Sequence, residues 1–172
     1  MRTFPLPRLV AAVLLAAAAA FPVAAQAQTA HDQAAAAPAS KIGELEVSGG
    51  WARAMLPGQP IGGAYLTIVN RGGEADRLVG VVSPAAGKVE IHTMKMENDV
   101  MVMRPLTEGL EIPAGATVTL EPNGLHLMFM DVREPFQAGG SVPVTLDFAK
   151  AGRLELSLPV QAGTGHEGHD GG

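Results

Sequence analysis

From Lys41 to Gln161 the chain is broken every few residues by glycine or proline, and between the breaks apolar residues alternate with polar ones. A helix of usable length needs an unbroken stripe with a 3.6-residue period, and no segment supplies one. That leaves many short strands joined by tight turns. Candidate strands cover 45–54, 63–70, 77–82, 88–97, 100–105, 117–121, 125–132, 142–148 and 153–160. Between them stand turn signals such as Arg71-Gly72-Gly73, Pro84-Ala85-Ala86-Gly87, Asn98-Asp99, Pro122-Asn123-Gly124 and Ala138-Gly139-Gly140. Strands at this even spacing predict an all-β domain, an antiparallel Greek-key sandwich or barrel.

The flanks read differently. Arg2 and Arg8 precede an apolar Ala/Leu run from Leu9 to Val23, and Ala25-Gln26-Ala27 gives a small-residue cleavage signal, so 1–27 is expected to be a signal peptide. The run is short for a membrane span, so the mature chain is expected to be exported without one. Residues 28–40 read as a disordered linker, 41–161 as one domain, and 162–172 as a flexible Gly/His tail.

Of 12 Lys and Arg residues two fall in the leader, so the remainder carries an acidic excess against 17 Asp and Glu, which argues against nucleic acid as a partner. Cysteine is absent, which removes disulfides, thiolate metal sites and thiol nucleophiles. Ser83 and Ser141 lie in no nucleophile elbow, so no enzyme is expected.

The chemistry is concentrated in one window. Six of eight methionines lie between Met94 and Met130, and the two histidines of the domain, His92 and His126, lie in or beside it. Strand side chains repeat every second residue, so His92, Met94 and Met96 share a face opposite Val89 and Ile91. If Asn98-Asp99 is a two-residue hairpin loop, Met96 opposes Met101 and Met94 opposes Met103, with His92 diagonal to Met103. In 125–132, His126, Met128 and Met130 share a face backed by Leu125, Leu127 and Phe129. Thioether and imidazole together favour Cu(I) over hard cations, which need carboxylate oxygens. Such neutral donors leave the ion's charge uncompensated, which predicts a site at or near the surface. The competing reading is that these methionines are core filler and the histidines hydrogen-bonded structure.

At these residues the sequence resembles the periplasmic copper chaperones called PCu(A)C. The resemblance runs through Glu90-Ile91-His92-Thr93-Met94, Val100-Met101-Val102-Met103-Arg104-Pro105, Gly109-Leu110-Glu111-Ile112-Pro113-Ala114-Gly115 and Gly124-Leu125-His126-Leu127-Met128-Phe129-Met130. Trp51-Ala52-Arg53-Ala54 and Gly63-Ala64-Tyr65-Leu66-Thr67-Ile68-Val69-Asn70 extend it over nearly the whole domain. It implies a cupredoxin-like sandwich and Cu(I) held by His92, Met103, His126 and Met128. It further implies a periplasmic protein that delivers copper to the binuclear copper centre of a haem-copper oxidase, in concert with a thioredoxin-like copper chaperone. Met94, Met96, Met101 and Met130 are then a surround or entry path, with packing the default role for each; Trp51, Arg53 and Tyr65 are expected in core or sheet-edge roles. His166 and His169 in the tail are a candidate for weak Cu(II) capture.

Three readings remain open at this point: delivery, copper sequestration for resistance at the same site, and a metal-free interaction module in which His and Met only pack. A blue-copper electron carrier is excluded, because its site needs a cysteine thiolate.

Overall fold

The structure, a computed structural model, describes residues 37–162. The expected signal peptide, residues 28–36 of the expected linker, and the tail histidines His166 and His169 lie outside the described residues. Residues 37–40 are tied to the domain: the Ala37 N–H donates to the Gly50 carbonyl at 2.8 Å, and Ser40 opens the first strand.

Eleven strands follow: β1 (Ser40–Ile42), β2 (Leu45–Arg53), β3 (Gly62–Asn70), β4 (Asp76–Val82), β5 (Ala86–Glu97), β6 (Val100–Pro105), β7 (Leu110–Ile112), β8 (Thr117–Leu120), β9 (His126–Val132), β10 (Ser141–Phe148) and β11 (Gly152–Gln161). No helix occurs among the described residues. All nine expected strands are present; β1 and β7, three residues each, are additional.

The sheet order β2-β11-β10-β4-β5-β9-β3 closes on itself through β2–β3 pairing, making a barrel with β1, β6, β7 and β8 attached at its rims. Every pairing is antiparallel except β11 against β2, where Val160 and Gln161 run parallel to Ala52 and Arg53. Closure satisfies backbone hydrogen bonds that an open sheet would leave at its edges.

Alternation decides which residues fill the barrel. Leu66, Ile68, Leu127, Phe129, Leu146 and Leu158 are almost wholly buried inside it. Each such side chain contributes about 1.5–3 kcal/mol relative to exposure. In β2 the alternation changes phase: Val47 and Ala52, five residues apart, are both buried. The pairing register shifts between Ser48 and Trp51, where Gly49 takes φ 63°. This bulge adds the residue that returns Ala52 to the core face and puts Trp51 on the outer one.

Candidate metal centre

Strand β5 positions the site because its two halves pair with different neighbours. Residues 86–92 run against β9, and residues 92–97 run against β6. His92 stands at the changeover, with His126 of β9 as its Cα partner on one side and Pro105 of β6 on the other. The β5–β6 hairpin closes through Asn98 (φ 50°) and Asp99 (φ 64°), the doubly left-handed backbone of a type I′ turn, which Asn and Asp tolerate better than most residues. That turn fixes the expected register: Met96 opposes Met101 and Met94 opposes Met103.

The histidine rings face one another with centroids 5.8 Å apart and planes at 47°. Each ring has one nitrogen committed to the protein. His126 donates Nδ1–H to the Gly124 carbonyl at 3.0 Å, so its Nε2 holds the lone pair in the neutral ring. His92 donates Nε2–H to Glu90 Oε2 at 2.8 Å, which leaves Nδ1 as the lone-pair nitrogen. That Nδ1 is buried and has no hydrogen-bond partner. An unsatisfied buried acceptor costs about 1–3 kcal/mol in a packed structure, which a metal bond would remove. The two rings thus offer opposite nitrogens, each oriented by an outer partner in the manner of metal-ligating histidines.

The histidines are buried, at 6% and 9% exposure, whereas Met103 is exposed and Met128 half-buried. Glu90 stands with its carboxylate beside the His92 ring. It is two residues before His92 on the same face, and the Lys88 ammonium and the His92 N–H beside it hold its carboxyl below the ordinary carboxylate range, against burial. The sequence signal was present, since an acid at the second position before a strand histidine has to share its face.

The methionines divide. Met128 is half-buried and opposes Glu90 on one side and Gly63 of β3 on the other. Met103 is 43% exposed and opposes Met94. Along β5 the two therefore lie on opposite sides of the histidine pair, Met128 toward Glu90 and Met103 toward the hairpin tip. Among the described residues no group of three or more His, Cys, Asp or Glu is placed to hold a metal. Core filling does not describe Met96, Met101 or Met103, all exposed.

Trp51 and Tyr65, direct partners across β2 and β3, have ring centroids 4.5 Å apart, with the Arg53 guanidinium 5.8 Å from the Tyr65 ring centre. A Cβ at Gly63 would stand 3.2 Å from the Tyr65 hydroxyl, so the glycine gives that hydroxyl room next to the strand position of Met128. Ser83 is committed to structure, its hydroxyl donating to the Pro143 carbonyl at 2.6 Å.

Residues 45–160 match the family model described as "Putative lipoprotein LpqE-like". A protein of Leifsonia xyli subsp. xyli named "Putative lipoprotein Lxx21020" is 31% identical over 124 residues, 72% of this chain and 74% of that one. Among solved structures, the copper-bound PCuAC domain from PmoF2 is similar with a TM-score of 0.62 and 26% identity, over 73% of this chain and 98% of that domain. The Cu(I) form of DR1885 from Deinococcus radiodurans, a solution structure, is similar with a TM-score of 0.55 and 27% identity, over 80% of this chain and 87% of that one. These likenesses bear out the cupredoxin-like fold.

Proposed function

The chain belongs to the LpqE-like family, and from that premise and the geometry of the histidine pair we propose that it is a periplasmic Cu(I) carrier. The observation that carries this reading is the buried, unpartnered Nδ1 of His92 directly across from His126, whose own Nδ1 is tied to Gly124. In a metal-free interaction module that nitrogen would be an uncompensated cost; as a ligand it is satisfied. Copper in the similar PmoF2 and DR1885 structures supports the same assignment.

His92 Nδ1, His126 Nε2, Met103 and Met128 are the proposed ligands. The histidines supply the fixed half of the site, buried and oriented from behind. The thioethers supply the exchangeable half, with Met103 reaching from an exposed strand. Glu90 offsets the ion's charge without being a ligand. Neutral thioethers can leave one at a time, so the ion moves to an acceptor with stronger ligands down an affinity gradient, and no covalent catalysis is involved.

The acceptor in this reading is the binuclear copper centre of a haem-copper oxidase, with a thioredoxin-like copper chaperone as partner. Incubating the Cu(I)-loaded chain with an apo oxidase copper domain and separating the two tests it. Copper arriving on the oxidase domain supports delivery. Copper retained on this chain would make sequestration at the same site the function.

A further inference from the structure

The β5–β6 hairpin carries four methionines that the histidine site does not explain as a set. Their register makes two direct cross-strand pairs, Met94 with Met103 and Met96 with Met101, so four thioethers line one face of a two-stranded ribbon. The other face holds Thr93, Lys95 and Glu97 on β5 and Val100, Val102 and Arg104 on β6, and there the Arg104 guanidinium pairs with Glu97 at 2.8 Å. The hairpin is therefore sided, with all four thioethers on one face and all three charged residues on the other.

Packing does not account for the soft side. Met96 is 63% exposed, Met101 and Met103 are each 43% exposed, and none of the four is in the core. Strand propensity does not account for it either, because β-branched and aromatic residues are the favoured strand formers. The exposed thioethers of Met96 and Met101 in direct opposition, two residues from the half-buried Met94 and exposed Met103, are what a soft monovalent ion needs from neutral ligands.

We propose that Met96 and Met101, with Met94 as third donor, form a second, thioether-only site for Cu(I) or Ag(I) at the hairpin tip, distinct from the histidine site. It rests on the reading of the chain as a copper carrier and adds where the ion is received. The tip site has no buried donor and no oriented imidazole, so it binds more weakly than the histidine pair. An ion taken up there is one residue pair away from Met103, and through it from His92. The step is ligand exchange at constant oxidation state, one thioether replacing another.

The test titrates the full chain, carrying 13C-labelled methionine methyl groups, with Ag(I) as the probe, alongside the Met96→Leu/Met101→Leu double variant and a His92→Ala/His126→Ala variant. The wild type is expected to take up about two equivalents, with the Met103 and Met128 methyl signals moving first and those of Met94, Met96 and Met101 second. The hairpin variant should retain only the first event, and the histidine variant only the second. Met96 and Met101 methyl signals that stay in place under excess Ag(I), while the histidine site fills, overturn the tip site and leave the carrier reading standing. Absence of any uptake overturns both. A hairpin variant that binds Ag(I) as the wild type does, but no longer hands Cu(I) to an acceptor domain, also overturns the site, by making the methionine face a protein-docking surface.

Discussion

His92 and His126 are direct cross-strand partners whose rings each commit a different nitrogen to the protein, Nε2 of the first to Glu90 and Nδ1 of the second to the Gly124 carbonyl. Each ring in its neutral form therefore keeps one lone-pair nitrogen, Nδ1 of His92 and Nε2 of His126.

Glu90→Gln keeps the shape of the side chain but removes its charge. It should lower Cu(I) affinity about 10–100-fold, the range typical of outer-shell partners, with little change in thermal stability. Competition against a Cu(I) chelator measures this. An unchanged affinity would mean that Glu90 neither orients His92 nor offsets the ion.

Met103→Leu and Met128→Leu separate ligation from packing. Leucine nearly conserves the volume, so the stability loss should stay under about 1.5 kcal/mol, while Cu(I) affinity falls roughly tenfold or more. The same competition, together with thermal melts, reads both quantities. Parallel loss of fold and of copper would restore the core-filler reading for Met128.

Acid should weaken copper binding. Protons compete for imidazole lone pairs, whereas thioethers do not titrate. Affinity should therefore fall as the solution is made acid, which a chelator competition repeated at several pH values would follow. A flat profile would argue against histidine ligation.

Asp76, the first residue of β4, gives a pH-dependent contribution to stability. Its burial opposes ionisation, but backbone N–H groups of Arg77, Lys150 and Ala151 donate to its carboxylate and hold its pKa below the ordinary value. A carboxyl depressed in the folded state stabilises above the unfolded value of about 3.9, and that stabilisation disappears as pH falls through the folded value. Asp76→Asn, which turns one acceptor into a donor among three donors, should cost about 2 kcal/mol at neutral pH. In denaturant melts the gap to wild type should close below pH ~4; a pH-independent gap would mean that charge is not its cause.

Much of this was legible in the residues. The β5–β6 register followed from a two-residue Asn98-Asp99 loop, since loop length and turn type leave few alternatives. The shared His/Met face followed from the period of two. What was not legible depends on distant chain. The direct opposition of His92 and His126 is set by β5–β9 pairing across more than thirty intervening residues, and no local pattern encodes that register. Burial of two outward-facing histidines is likewise a property of the assembled fold. Strands β1 and β7 are three residues each, too short to display alternation, and β7 sits between Gly109 and Pro113, which read as turn residues. The parallel β11–β2 contact, which joins the last strand to the second, also has no local signature.

X-ray absorption on the chain loaded with one equivalent of Cu(I), for wild type and for His92→Ala, tests the central claim most directly. The wild type should show a mixed shell of about two nitrogen and two sulfur scatterers, and the variant should lose nitrogen. A shell without sulfur, or a wild-type spectrum that His92→Ala leaves unchanged, would contradict the account.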